Sequence, residues 1–192
     1  MKAKIISAES VYSGFLKVEK LQIAVPSFDG GADIHQTREI AAQTNSVFIL
    51  PYDPNTNEVV LVAQHRPGAI YEETTLVYET IAGRVDKELS VEDIVVAEAS
   101  EEAGLNVQKS DIVKLGEYMI APGTSTEKAY VYLVPYDLSG VPFEAIHGLE
   151  SEGENILMKK MHLTEAFDLS ERGCSTSVIL QMALLAAEKA LQ

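Results

Sequence analysis

Residues 83–105, GRVDKELSVEDIVVAEASEEAGL, carry three glutamates where a helix should bury apolar side chains. Ser90 is placed to cap the N-terminus, Asp93 completes a capping-box-like pair three residues on, and Gly104 supplies the stop. The spacing therefore predicts a helix over roughly 91–103. At about 100° per residue, Val91, Val95, Val96, Ala99 and Ala103 form a continuous apolar arc with Ile94 at one edge. Glu98 and Glu102 fall between Ile94 and Val95, about 6 Å apart along the axis, with Glu101 beside them. A solvated acidic face would lie opposite the apolar arc, but that side holds Ala97, Ser100 and Gly104. Burial and mutual repulsion both raise carboxylate pKa values, so the cluster needs cations to stay ionised. An all-oxygen site of this kind suits Mg²⁺, with Mn²⁺ as a substitute.

A chain of 192 residues accommodates one domain, or a main domain with a small additional one. The formal charge of -14 opposes nonspecific nucleic-acid binding in the absence of a basic face. Phosphate substrates stay open, because metal ions supply positive charge locally. Cys174 is the only cysteine, which excludes an internal disulfide and a cysteine-based zinc site and suits a reducing cytoplasm. No apolar run approaches the ~20 residues of a membrane span, and the N-terminus has no signal-peptide core. The expectation is a cytoplasmic protein with neither membrane nor nucleic acid as partner.

Upstream of the helix the pattern is strand-like. Residues 4–25 alternate at Leu16 and Val18 and again at Leu21, Ile23 and Val25, with Gly14 as a turn or bulge. Residues 26–33, PSFDGGAD, read as a hairpin tip, and 34–42 return antiparallel. This sheet is too thin to stand alone. Ser46–Leu50 and Glu58–His65 follow as strands joined by PYDPNTN, and His65 is expected to pack in the sheet. Leu76–Ala82 reads as one strand running into Gly83, and Lys128–Pro135 as another. Downstream lie turn-rich residues 137–146, a polar loop HGLESEGEN at 147–155, a strand at 156–161, and helices near 164–169 and 176–191. In the last helix Val178, Met182 and Leu185, with Ile179 and Ala186 adjacent, mark the packing face, and Ser175, Thr176 and Ser177 are caps rather than nucleophiles.

Gly83, Glu98, Ala99, Glu101, Glu102, Gly104 and Leu105 match in register the box of the Nudix hydrolases, and the stretch resembles that family. Leu89 and Ala97 stand where the family has a mutually paired Glu and Arg. Losing both partners reads as one exchange of an ion pair for apolar residues, so packing around Leu89 and Ala97 is expected to brace the glutamates. The resemblance implies an α/β/α sandwich with a mixed sheet in 45–192, preceded by a small antiparallel sheet in 1–44 that builds a homodimer. It implies Mg²⁺ held by Glu98, Glu102, Glu101 and the Ala82 carbonyl.

The acidic loop supplies the second half of the site. By the family's Glu-x-Glu pattern Glu152 is the base that activates water, alongside Glu101 as a catalytic candidate, and Glu154 is a further metal ligand. Glu150 remains the fallback for either role. Pro122, separated from Leu105 by sixteen residues, has a spacing that resembles that of the branch acting on ADP-ribose and related nucleoside diphosphate sugars. The similarity to Gln-x-Arg at Gln64–Arg66 implies that Arg66 contacts substrate, and Arg38, Glu79 and Gly123 are further candidates. The implied reaction is hydrolysis of the pyrophosphate bond to a nucleoside monophosphate and a sugar phosphate. Two rivals remain: a catalytically weakened binding or sensor module, and a Nudix hydrolase of other nucleoside polyphosphates.

Overall fold

The computed structural model describes residues 2–72, 75–85, 88–171 and 176–191. Strands β1 (Lys4–Ser13), β2 (Lys17–Val25) and β3 (Ile34–Ala41) form a three-stranded antiparallel sheet in that order. Two register shifts interrupt β1 against β2, so the simple alternation fails there. Leu21 and Ala24 are the buried positions of β2, rather than Leu21, Ile23 and Val25.

The chain divides into two compact units, Met1–Asn45 with Met119–Ala129, and Ser46–Tyr118 with Tyr130–Gln192. The Pro122 loop is stitched into the first unit by backbone bonds that need no particular side chain. Ala41 N–H donates to the Thr124 carbonyl at 2.7 Å and Thr126 N–H to the Ala41 carbonyl at 3.1 Å. Thr126 Oγ1 accepts from Gln43 N–H at 2.9 Å.

The larger sheet contains β4 (Ser46–Asp53), β5 (Glu58–His65), β6 (Leu76–Glu79), β7 (Ile81–Arg84), β8 (Val113–Met119), β9 (Lys128–Pro135), β10 (Glu144–His147) and β11 (Ile156–His162). Its order is β10-β11-β5-β4-β9-β8, with β6 on β5 and β7 on β4. Helices α1 (Val91–Ala103), α2 (Leu163–Ser170) and α3 (Val178–Ala190) cover it, giving the expected mixed sheet between helices. Strand β5 is buried on both faces. Val60 and Val62 join Ile49, Ile94, Val95, Ala99 and Met158 in one core cluster under α1, and the intervening Leu61 points the other way by the pleat.

Four local expectations are corrected. Strand β4 runs through Pro51 to Asp53. Pro51 lies between Ile49, the last residue paired with β7, and Tyr52, the first paired with β5. A residue without an N–H is tolerated at such a change of partner. Residues 76–82 are not one strand: β6 pairs with β5 and β7 with β4, and Thr80 sits at the step between them. Residues 144–147, expected as turn, form edge strand β10 against β11. The face expected to pack on α3 is displaced: Val178 is 75% and Leu185 52% exposed and Met182 and Ala186 are half-buried, while Ile179, from the edge of that face, is buried with Leu180, Ala183, Leu184 and Ala187. A helix apolar on nearly every side offers no periodicity from which to choose a face.

Thr80 is fully buried, and its Oγ1 is a buried side-chain oxygen with no hydrogen-bond partner among the described residues. An orphaned buried hydroxyl costs about 1–3 kcal/mol. Thr80→Val keeps the shape and removes the orphan, so it is expected to stabilise the fold by ~1 kcal/mol and raise Tm by roughly 2–4 °C. A lower Tm in a calorimetric scan would show that the hydroxyl is satisfied after all.

Candidate active site

Helix α1 begins and ends where its caps dictate. Ser90 Oγ accepts from Asp93 N–H at 3.1 Å, and the Asp93 carboxylate bonds back to Ser90, completing the capping box. At the other end Gly104 adopts φ +66°, its N–H reaching the Ser100 carbonyl at 2.9 Å while Leu105 N–H reaches the Ala99 carbonyl at 2.9 Å. This closure fixes the rotation of the helix, and with it the face that meets β7.

That face carries the glutamates inward. Glu102 is 3% exposed, packed among Ile94, Val95, Ala99 and Ala103 along the helix, and accepts the Ala82 N–H at 2.9 Å. Burial pushes its carboxyl up to about 8; the Ala82 bond works against this, Glu98 and Glu154 add to it, and Arg66 opposes it. Glu98 lies across the backbone of Gly83, where a Cβ would stand 1.8 Å from Glu98 Oε1. Burial, then Glu101, Glu154 and Glu152, push the Glu98 carboxyl up to about 7. Carboxylates separated by about fifty residues of chain thus act on one another.

Glu150–Glu152 form a single 3₁₀ turn, and Glu154 Oε2 accepts the Leu149 N–H at 3.1 Å. Arg66, at the end of β5, donates through Nε to Glu79 Oε2 at 2.6 Å; the Arg66 side chain is two-fifths exposed and that of Glu79 mostly covered. Of the residues placed by sequence at the substrate, Arg66 and Glu79 therefore stand together within the unit of the box. Arg38, whose Nη1 donates to the Thr37 carbonyl at 2.8 Å, and Gly123 belong to the N-terminal unit.

Three further expectations meet a different outcome or fall outside the described chain. Of the two residues expected to brace the glutamates by packing, Leu89 is 50% exposed and Ala97 half-buried; the contacts seen are Gly83 against Glu98 and the Ala82 N–H to Glu102. His65 is exposed rather than packed in the sheet, with Nδ1 2.7 Å from Thr75 Oγ1, because it is the last residue of β5. Cys174 and Ser175 lie outside the described residues, while Ser177 caps α3 by accepting from Leu180 N–H at 3.2 Å. Sequence reading placed His147 and Gly148 at the start of the acidic loop and gave them no role of their own.

The donor set suits a hard divalent cation, since every candidate atom is oxygen. Among the described residues no three His, Cys, Asp or Glu side chains are grouped to hold an ion as they stand; Glu102 and Glu154 each turn an oxygen to a backbone N–H. A carboxylate has about four acceptor positions, so both can keep those bonds and still offer oxygen to a cation. The raised Glu98 and Glu102 carboxyls mark uncompensated negative charge that a cation would neutralise.

Over 171 residues the chain is 32% identical to the ADP-ribose pyrophosphatase of Escherichia coli (strain K12), a match covering 88% of this chain and 80% of that protein. The chain belongs to the Nudix hydrolases. This Nudix hydrolase is also 30% identical over 166 residues to the ADP-ribose pyrophosphatase of Haemophilus influenzae, covering 84% of this chain and 73% of the relative. It is 30% identical over 145 residues to the GDP-mannose pyrophosphatase of Citrobacter koseri, covering 74% and 73%. In fold it matches the crystal structure of an ADP compounds hydrolase, with TM-score 0.74 and 20% identity over 100% of this chain and 95% of the other. No family model matches the chain, whose box departs from the family pattern at Leu89 and Ala97.

Proposed function

We propose that this Nudix hydrolase cleaves the pyrophosphate bond of nucleoside diphosphate sugars of the ADP-ribose, ADP-glucose or GDP-mannose type, with Mg²⁺ as the working cation and Mn²⁺ as a substitute. The observation that supports this most directly is the inward placing of two α1 glutamates, Glu102 3% exposed on the Ala82 N–H and Glu98 against Gly83, with the acidic loop joined to α1 by the Gly148 N–H at the Glu101 carbonyl. Glu98, Glu102, Glu101, Glu154 and the Ala82 carbonyl would hold the cations. Bound there, divalent cations neutralise the phosphates and lower the pKa of the attacking water.

Glu152 takes the proton of that water, with Glu150 next in line, and Glu101 supports the reaction from the helix. The water oxygen forms a bond to one phosphorus as the bridging P–O bond breaks, and a nucleoside monophosphate and a sugar phosphate separate. Arg66, held by Glu79 through Nε, keeps its terminal N–H groups for a phosphate oxygen. Arg38 and Gly123, in the N-terminal unit, are further candidates for substrate contact. The apolar side chains exposed along β1, among them Ile5, Ile6, Val11 and Tyr12, support a homodimer through the N-terminal sheet. No helix among the described residues is long and apolar enough to cross a membrane, and the proposed setting is the cytoplasm.

A panel of ADP-ribose, ADP-glucose, GDP-mannose and nucleoside triphosphates, each with Mg²⁺ or Mn²⁺, tests the reading. Release of nucleoside monophosphate and sugar phosphate from the diphosphate sugars is the expected result. Turnover of triphosphates alone would move the substrate class, and binding without turnover would make the protein a sensor.

A further inference from the structure

The two halves of the carboxylate site meet at a junction that the mechanism does not use. An α-helix leaves its last carbonyls without partners, and α1 gives one of them away across the fold: Gly148 N–H donates to the Glu101 carbonyl at 3.1 Å. Immediately before it, His147 ends β10, paired with Ile156 of β11. Its imidazole lies over Gly104, where a Cβ would stand 2.8 Å from Cε1 and 3.4 Å from Nε2. Gly104 thus serves twice, as the left-handed stop of α1 and as the bare seat for this ring.

From the junction the loop closes on itself. A Cβ at Gly148 would stand 2.8 Å from Glu154 Cβ, Glu154 N–H donates to the Leu149 carbonyl at 3.2 Å, and Glu154 Oε2 accepts from Leu149 N–H at 3.1 Å. Residues 148–154 are thus tied to one another by hydrogen bonds within the loop. One backbone bond contributes only about 1 kcal/mol net and would open freely in water. The half-buried His147 ring is seated on Gly104, three residues beyond the Glu101 carbonyl that takes this bond, and so adds a side-chain contact to the same helix end.

We propose that the His147–Gly148 junction is the latch by which the box helix positions the glutamate loop, and that His147 is a positioning residue for the hydrolysis. The proposal rests on the hydrolase reading above only for its kinetic consequence. A displacement of about 1 Å in a catalytic group costs up to ~100-fold in rate, while the nucleoside and sugar contacts made elsewhere are untouched.

The test uses the full chain, with amide hydrogen exchange on the metal-free protein and steady-state kinetics with Mg²⁺ on the best diphosphate sugar. In His147→Ala the Gly148–Glu154 amides are expected to exchange at least ~10-fold faster. Its kcat should fall about 10- to 100-fold with KM changed less than about threefold. His147→Phe, which restores a ring over Gly104 without ring nitrogens, should recover both to within about threefold of wild type. Unchanged exchange and kcat in His147→Ala would overturn the latch, and so would a Phe variant as impaired as the Ala variant. If wild type turns over nothing in the panel, the hydrolase reading fails while the exchange data still decide the latch.

Discussion

Glu102→Gln is expected to lower turnover by ~10³-fold and to make the metal-free protein more stable at pH 8. Gln has the same shape and still accepts the Ala82 N–H that Glu102 takes at 2.9 Å, so packing and its one hydrogen bond survive. What is lost is a charge whose carboxyl burial pushes up to about 8 from an ordinary 4.5. The sign follows from proton uptake. Between about pH 4.5 and 8 the folded protein holds a proton at Glu102 that the unfolded chain has released, so stability falls as pH rises through that window. The loss attributable to Glu102 at pH 8 is on the order of 2–4 kcal/mol. Glu98, raised to about 7, contributes with the same sign over a narrower window, and Glu98→Gln is expected to reduce turnover equally.

Denaturant unfolding at pH 5 and pH 8, with and without Mg²⁺, measures this directly. Wild type should lose stability between the two values and regain it with Mg²⁺. Glu102→Gln should show a shallower loss and little response to the ion. Near-normal turnover in either Gln variant would remove the metal assignment, and identical pH slopes in wild type and variant would remove the electrostatic account.

Gly83→Ala is the second large effect, expected to leave the fold intact and to cost ~100-fold in turnover. The new methyl would sit 1.8 Å from Glu98 Oε1, 2.1 Å from Cδ and 2.4 Å from Cγ. The atoms in the way belong to one flexible side chain, so β7 and α1 need not shift; Glu98 must swing aside and leave the cluster. Thermal unfolding within a few degrees of wild type, together with a higher Mg²⁺ concentration for half-activity, is the expected signature. Gly140→Ala, where a Cβ meets nothing within 4 Å, serves as the control with unchanged turnover. A fully active Gly83→Ala would show that Glu98 works from another position.

The helix at the centre of the site was legible because its determinants are local. Ser90, Asp93 and Gly104 bound it at Val91 and Ala103, and the 3.6-residue period alone turns Glu98 and Glu102 toward the apolar arc. Strand Lys128–Pro135 was legible for a similar reason, a β-rich run between turn residues. By contrast, the break at Thr80, the passage of β4 through Pro51 and the strand at Glu144–His147 depend on which neighbour each segment pairs with. The buried face of α3 was illegible because apolar residues occupy nearly every side, and only its neighbours select Leu180 and Leu184 over Val178 and Leu185.

By itself, then, the amino-acid order determined a capped helix with carboxylates facing inward, an acidic loop downstream, and membership of a family that works on phosphate anhydrides. The helix and the loop are set within a few turns of chain by capping, periodicity and charge, and the family by the resemblance of the box residues and the identity to known relatives. The tertiary structure decided that the loop meets the helix through the Gly148 N–H at the Glu101 carbonyl, that Glu98 lies against Gly83, that Glu79 holds Arg66, and that residues 119–129 group with the N-terminal unit. Each of these is a contact between segments far apart in sequence, chosen by close packing and by backbone groups in need of partners, and neither leaves a periodic trace in the residues themselves.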